Sequence, residues 1–331
     1  MKSIIITKHG NYDVLTYTDT QKPTNKKDHV IIKVKYCALN HLDLLVRNGL
    51  RGRKVKFPHV LGSDICGILE NDFGDFNSGD EVVVYPVIKN TTPTNLPNMI
   101  GGFSFYDGGY SEFVRVPKNC IIKKPKWLSS LDACTLNVSY LTVWNILQTL
   151  NCKKNDKIFV WGGNSGIGTA TILLAKAIGC NVITTISDHD NVDLVKKIGA
   201  DHVIDRKKEN VLKSVRKNTN NIGVDYVIDH VGSKTWPTSI NMLKRGGKMA
   251  TCGITTGTYA RVNISCVYNK KINILGFYMG NKSQLINLHK FINLKKIKPI
   301  IDSIFDLADV KLAHKKLEQS KHFGKIILRV T

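Results

Sequence analysis

The sequence predicts an α/β protein in two parts: an all-β unit of short strands forming a small barrel, and a parallel, doubly wound sheet flanked by helices. Three observations predict it. The first third of the chain is a series of short apolar–polar runs broken by turn residues. From Ser129 the texture changes, and apolar strands at 157–161, 181–186, 202–205, 224–229, 248–253 and 272–278 alternate with helical stretches. Between Ile158 and Gly179 an apolar strand breaks into glycines and resumes as a helix.

In chain order, Ser3–Thr7, Val14–Thr18 and Val30–Tyr36 read as strands, with a turn around Pro23. Leu42 to Gly49 reads as a helix closed by its glycine. Ile65–Glu70 and Glu81–Tyr85 are strands joined through the Asn77-Ser-Gly-Asp80 turn. Residues 86–109, rich in Pro, Asn, Thr and Gly, read as a surface lobe, and Tyr110–Pro117 as the next strand. Leu131–Leu150 is helical. Gly199 after Lys196-Lys197, and Gly246-Gly247 after Lys244-Arg245, read as helix stops with positive charge at the C-termini. Ser283–Leu294 and Val310–Gln319 read as helices and Gly324–Val330 as a last strand. That strand falls outside the α/β rhythm, so the C-terminus is expected to return to the first unit. The expected division is 1–128 and 281–331 for the β unit and 129–280 for the α/β unit.

The glycine turn carries a chemical implication. Ile158–Trp161 is followed by Gly162, Gly163, Gly166 and Gly168, then by an apolar stripe at Ile167, Ala170, Leu174 and Ile178. A pyrophosphate needs backbone N–H groups aimed at it and no side chain in the way, and a helix N-terminus adds partial positive charge. Gly163-x-x-Gly166-x-Gly168 departs from the Gly-x-Gly-x-x-Gly fingerprint, but its strand–turn–helix–strand setting is the one the fingerprint requires. Gly163, Ser165, Gly166, Ile167 and Gly168 are therefore candidate dinucleotide contacts.

The bulk properties bound the rest. The 331 residues suffice for two cores. No apolar run reaches the length of a membrane-spanning helix, and the N-terminal apolar stretch is too short for a secretory signal, so a soluble cytoplasmic protein is expected. The eight cysteines include no Cys-x-x-Cys pair, which removes metal-finger spacing and leaves buried thiols in a reducing compartment. The net charge of +22 is spread along the chain without a basic block or aromatic interleaving. It reads as a lysine-rich solvated surface rather than a nucleic-acid site.

Several separated segments together resemble the medium-chain dehydrogenase/reductase superfamily over nearly the full length. They are Ala38-Leu-Asn-His-Leu-Asp-Leu-Leu-Val-Arg-Asn-Gly49, Pro58-His-Val-Leu-Gly-Ser-Asp64 with Gly67, Ser78-Gly-Asp80, Leu141-Thr-Val-Trp144, the glycine turn, Gly199-Ala-Asp-His-Val-Ile204, Pro299 and Phe323-Gly-Lys325. The resemblance implies a GroES-like β domain, a Rossmann domain and an active-site cleft between them. It implies hydride transfer between a nicotinamide and a carbonyl, alcohol or activated alkene acting as small-molecule substrate. It also implies a homodimer, or a dimer-based tetramer, through the last Rossmann strand, Ile272–Phe277.

The chain departs from the zinc-dependent branch. Positions that hold zinc ligands there correspond to Asn40, Ser63 and Val138, and residues 86–109 carry none of the cysteines of a structural zinc lobe. No metal site is expected. Without a Lewis acid the chemistry favours electron-poor acceptors, as in the quinone oxidoreductase-like branch that the Gly-Ser-Asp loop resembles. By resemblance Asn40 contacts the nicotinamide or the substrate oxygen; from its position alone it caps the Leu42 helix. His41 relays a proton or touches the ribose, or is structural. Asp43 orients its neighbours. Arg47 reads as an exposed helix arginine, with an anionic substrate as the other reading. Tyr36, Tyr140 and Tyr278 are proton-donor candidates among which the sequence does not choose.

Alignment on Gly199-Ala200 puts Ile186 where NAD enzymes carry the ribose-binding acid, so NADPH is favoured over NAD, with Ser187 and His189 as contacts of the 2′-phosphate. His230-Val231 and Cys252-Gly253 end two strands and should line the nicotinamide half, together with, by resemblance, Thr142 and Lys325. The reading is a zinc-independent NAD(P)H-dependent reductase of quinones or α,β-unsaturated carbonyls. An alcohol or aldehyde dehydrogenase and a nucleotide-loaded RNA-binding protein are the alternatives.

Overall fold

Ten residues of one strand, β3 (His29–Ala38), organise the N-terminal unit. Its run of Val30, Ile31, Ile32, Val34, Cys37 and Ala38 is buried, as expected of a strand with neighbours on both edges. The computed structural model describes residues 1–88, 97–187 and 192–331. Among these the chain divides into two compact units: 1–139 with 281–293 and 298–331, and 140–280 with 294–297.

The first unit begins with β1 (Lys2–Ile5) and β2 (Thr16–Asp19), an antiparallel pair. After β3 come α1 (His41–Asn48), β4 (Asp64–Leu69), β5 (Glu81–Val84), the short β6 (Val87–Ile88) and β7 (Asn98–Met99), β8 (Phe113–Pro117), β9 (Ile121–Lys123) and α2 (Ser130–Ala133). One edge of β3 pairs with β4. Its other edge is shared, first by β8 at residues 29–33 and then by the C-terminal strand at 36–38, beside a register shift between Val34 and Tyr36. That irregularity lies in the β3–β4 ladder, on the edge opposite β8 and the C-terminal strand.

Residues 129–139 belong with this unit and not with the α/β unit as the sequence suggested. The physical reason is polar anchoring. Ser130 Oγ donates to Glu81 Oε1 at 2.6 Å, Asn137 Nδ2 to Ile65 O at 3.3 Å and Ser139 Oγ to Asn40 Oδ1 at 3.3 Å. Residues 136–140 form a single π-helical turn.

In the α/β unit, α3 (Leu141–Leu150) precedes β10 (Lys157–Val160), α4 (Gly166–Ile178), β11 (Asn181–Ile186), α5 (Val192–Lys197), β12 (His202–Asp205), α6 (Val211–Asn218), β13 (Val224–Asp229), α7 (Trp236–Met242), β14 (Leu243–Thr251), α8 (Ile264–Asn269) and β15 (Asn273–Gly276). The strands are parallel and ordered β12-β11-β10-β13-β14-β15, so the sheet is doubly wound and its order reverses between β10 and β13. Lys244-Arg245 do not end a helix: α7 stops at Met242, and β14 already starts at Leu243, with a register shift opposite Val224/Tyr226 and Gly246 at φ +74°.

The chain closes with α9 (Lys282–Lys295), β16 (Ile301–Asp306), α10 (Val310–Glu318) and β17 (Lys325–Arg329). β17 returns to β3, with Leu328 opposite Cys37, and β16 extends the sheet beyond it. Sequence reading missed β16 because its faces are only partly buried and its Ile-Asp-Ser-Ile-Phe-Asp pattern is weak. Nor is the second half of the 86–109 stretch a surface lobe. Met99, Ile100 and Phe103 are buried, and Gly108, Gly109 and Tyr110 donate to Val60, Gly62 and Leu61 carbonyls at 2.8–3.0 Å. Residues 89–96 lie outside the described residues. Among the described residues no helix is long and apolar enough to cross a membrane.

Gly67 shows how tightly β4 meets β3: a Cβ there would lie 2.3 Å from the Lys33 carbonyl oxygen. Gly67→Ala is expected to destabilise the first unit by about 1–3 kcal/mol, read as a lower urea midpoint.

Candidate functional site

In the first unit a buried polar cluster forms where β3 hands over to α1. Asn40 occupies the N-cap position of α1 in extended backbone. Asp43 Oδ2 accepts from Asn40 N at 2.7 Å while Asp43 N donates to Asn40 O at 2.9 Å, a reciprocal closure of the helix start. The Asn40 side chain turns away from the helix. Its Nδ2 donates to Asp64 Oδ2 at 2.9 Å, and its Oδ1 accepts from Lys325 Nζ at 2.7 Å and from Ser139 Oγ.

Lys325, at the start of β17, was expected at the cofactor. It donates to Leu39 O (2.7 Å), Asn40 Oδ1 (2.7 Å) and Asp64 Oδ2 (2.9 Å). An ammonium has three N–H bonds, so all are spent within this cluster. Lys325 is 2% exposed and Asp64 0%. Burial pushes the Asp64 carboxyl up, against the opposing pull of Lys325 and Asn40. Burial likewise raises Asp43 from 3.8 to about 7, with the Asn40 N–H and Lys325 acting the other way. His41 is half-buried as the first residue of α1. Ser63 is buried, and its hydroxyl donates to Ile100 O at 2.7 Å. Arg47 is not an exposed helix arginine. It is wholly buried, because its guanidinium has fixed acceptors: Gly10 O, His314 Nδ1, Asn48 Oδ1 and Glu318. Among the described residues no group of three or more His, Cys, Asp or Glu side chains could hold a metal ion.

In the second unit the glycine turn follows β10. Ser165 is the N-cap of α4 and its Oγ accepts from Gly168 N at 2.9 Å. A Cβ on Gly168 would lie 2.1 Å from Gly162 O, and one on Gly163 would lie 2.7 Å from Thr184 Oγ1. Two glycines thus press the helix onto the strand, while Ser165, Gly166 and Ile167 remain half-buried at the helix start. The N-terminus of this 13-residue helix suits an anionic group.

The end of β13 lies across the reversal point. His230 Nε2 donates to Trp161 O at 2.8 Å and approaches Ser165 Oγ at 3.4 Å. Burial lowers its pKa, so the ring is neutral with its proton on Nε2. Asp229, fully buried, shapes the loop that follows. Its Oδ1 accepts from Val231 N (3.0 Å) and Gly232 N (2.9 Å), and its Oδ2 from Thr235 and Ser239 hydroxyls, both at 2.7 Å. Trp161 Nε1 donates to Ser239 Oγ at 2.8 Å, tying the loop back to β10. A Cβ on Gly253 would lie 2.2 Å from His230 O. The half-buried Cys252 has its thiol raised by burial to about 12, so it stays protonated. Thr142 is buried near the start of α3. Ile186, 1% exposed, ends β11 opposite Asp205, and Ser187 is half-buried beyond it. His189 lies outside the described residues.

Sequence reasoning missed the Asp229 network, the Lys325–Asp64 pair and Ser139. Only the first left a signal: Thr235 and Ser239 are spaced four apart on a helix just after the acid, which puts both hydroxyls on one face.

This architecture matches known proteins. Residues 26–126 match the model of the alcohol dehydrogenase GroES-like domain and residues 166–293 that of the zinc-binding dehydrogenases. A zinc-type alcohol dehydrogenase-like protein of Schizosaccharomyces pombe is 30% identical over 91% of this chain and 90% of its own. A quinone oxidoreductase of Rattus norvegicus is 26% identical over 99% and 97%. The crystal structure of an NAD-dependent alcohol dehydrogenase superposes with a TM-score of 0.92 at 30% identity, covering both chains completely.

Between its ordinary pKa of 3.8 and about 7, Asp43 is protonated in the folded chain but ionised in the unfolded one. The folded state binds more protons in that window, so its stability falls as pH rises. Urea unfolding from pH 4.5 to 7.5 is expected to show this decline, and Asp43→Asn to flatten it.

Proposed function

Because the chain belongs to the medium-chain dehydrogenase/reductase superfamily, whose members are nicotinamide-dependent oxidoreductases, we propose that it is a zinc-independent, NADPH-preferring reductase of quinones or α,β-unsaturated carbonyls. The observation that carries this reading is the donor set around Asn40. Zinc takes thiolate, imidazole or carboxylate donors. Here the Asn40 carboxamide is engaged by Asp64 and Lys325, Ser63 spends its proton on a backbone carbonyl, and Val138 offers no donor. The Lys325 ammonium already balances the Asp64 charge. This set does not fit a zinc ion.

The second unit suits a nicotinamide dinucleotide. The amides at the start of α4 would hold the pyrophosphate, with Gly163 and Gly168 allowing the close approach. Loops His230–Gly232 and Cys252–Gly253, held by Asp229, would border the nicotinamide half, with Thr142 as a further contact. Bound NADPH supplies a hydride. Without metal polarisation the acceptor must itself be electron-poor, and charge developing on its oxygen is met by hydrogen bonds. Preference for NADPH is supported by Ile186, an alkyl group where a ribose-binding acid would repel the 2′-phosphate, and by Ser187 beside it.

A homodimer through Ile272–Phe277 is part of the same proposal. β15 is an outer strand of its sheet, with Ile274 40% exposed on it and Ile264 and Tyr268 exposed on the preceding α8. An unpaired apolar edge of this kind pairs readily with a second copy.

Purified protein is expected to reduce quinones or enones with NADPH in preference to NADH, and to do so with no bound metal by elemental analysis. Steady oxidation of a simple alcohol, lost on chelation, would replace this reading with alcohol dehydrogenation. Steeply salt-dependent RNA affinity without turnover would replace it with RNA binding. Light scattering is expected to give a dimer mass for the wild type and a monomer mass for Ile274→Lys; an unchanged mass in the variant would remove the β15 interface.

A further inference from the structure

Although the +22 charge is spread along the chain, one loop concentrates it. Arg51-Gly-Arg-Lys-Val-Lys56 places four cations in six residues, and the surrounding stretch 44–63 holds no aspartate or glutamate. Arg47, earlier in that stretch, is neutralised by Glu318. Among the described residues Arg51, Arg53, Lys54 and Lys56 make no ion pair. Like charges gathered without an acid repel one another, and a bound anion relieves that repulsion.

The loop is pinned by its apolar residues. α1 stops at Gly49, and Arg53 N closes a turn on Leu50 O at 2.9 Å. Leu50, Val55 and Phe57 pack on the apolar core of the first unit, and Phe57 meets the His9 ring edge-on at 5.0 Å. Arg51, Lys54 and Lys56, between them, are exposed.

Arg53 differs from these three. It is half-buried, and its guanidinium carbon lies 5.7 Å from the centre of the Phe103 ring. Stacking occupies the flat face of a guanidinium and leaves the N–H groups at its rim for a carboxylate or a phosphate. Phe103 belongs to segment 99–103, which touches the Asn40 cluster at two points. Ile100 O accepts the hydroxyl of Ser63, the residue before Asp64, at 2.7 Å. A Cβ on Gly102 would lie 3.3 Å from Leu42 Cδ2, in the first turn of α1 and two residues after Asn40. One short segment thus seats Arg53 and borders the start of α1.

We propose that this loop is the anion subsite of the reducing site: the electron-poor acceptor carries a carboxylate or phosphate group that pairs with Arg53, while Arg51, Lys54 and Lys56 draw it in. The inference rests on reading the surroundings of Asn40 as the reducing site, and it names the substrate class of that site. By sequence, Arg47 was the residue offered to such an anion. Its guanidinium is spent on Gly10, His314, Asn48 and Glu318, and the loop after α1 takes that role.

The test uses the full chain, NADPH and two matched pairs of acceptors. trans-Acetylacrylate and its methyl ester differ by one charge beside the double bond. The α,β-unsaturated hexenoyl thioesters of coenzyme A and of N-acetylcysteamine differ by phosphates carried far from it. The readout is the ratio of kcat/KM for the anionic over the neutral member, in which any loss of folded protein cancels. Removing the four charges together, by Arg51→Gln, Arg53→Gln, Lys54→Gln and Lys56→Gln, is expected to lower the ratio about tenfold for at least one pair. The pair that responds distinguishes a carboxylate near the double bond from phosphates on a carrier. Arg53→Gln alone should lower the ratio more than Arg53→Lys, which keeps the charge. In the wild type the ratio should fall as salt is raised, and in the fourfold variant it should not.

A charge-matched control removes four exposed lysines elsewhere in the first unit, by Lys26→Gln, Lys27→Gln, Lys33→Gln and Lys311→Gln. An equal fall in the control would assign the effect to net charge and overturn the inference, and so would unchanged ratios in the loop variant. If the wild type reduces none of the four acceptors, the functional reading fails by itself. Calorimetric titration with trans-acetylacrylate and hexenoyl-CoA then decides the loop: tighter binding by the wild type than by the fourfold variant keeps the anion subsite, and equal or absent binding removes it.

Discussion

A lysine and an aspartate, both almost wholly withdrawn from water, hold the first unit's site together. Lys325 comes from the last strand and Asp64 from the start of β4; Asn40 joins β3 to α1, and Ser139 lies in the π-helical turn. Burying two such charges is costly, and removing one partner alone from a buried pair typically costs about 3–5 kcal/mol. The pair persists because every N–H of the ammonium has an acceptor and the carboxamide between them donates on one side and accepts on the other. It therefore ties four distant segments to one arrangement that a purely apolar contact would leave adjustable.

The second unit solves a related problem with one acid. Asp229 at the end of β13 takes two backbone N–H groups and two hydroxyls, and Trp161 extends the network to β10. Four acceptor sites on a buried carboxylate are used to shape a loop at the point where the sheet order reverses, the place where open α/β sheets bind ligands. The glycines do complementary work: Gly168 and Gly253 admit backbone carbonyls at distances that no Cβ would tolerate.

Much of this was legible in the residues themselves. The six-strand rhythm, the glycine turn and the stray last strand announced a doubly wound sheet and a β unit closed by the C-terminus, because apolar periodicity and helix stops are local signals. The readings that failed were non-local. Arg47 looks like a solvated helix arginine until His314, Gly10 and Glu318 arrive from elsewhere in the chain. Lys244-Arg245 look like the end of a helix until the neighbouring strand claims them. The Met99–Phe103 segment looks like surface until the Gly62 loop packs against it.

By itself, then, the sequence determined the periodicities and the turn chemistry. These depend only on which residue stands where. Only the tertiary structure decided what the polar residues do. Lys325 is bonded to Asn40 and Asp64, and Asp229 anchors a loop. The reason is desolvation. A charge near water can be spared its partners, whereas a buried one must find them, and those partners are separated along the chain by distances that no local pattern records.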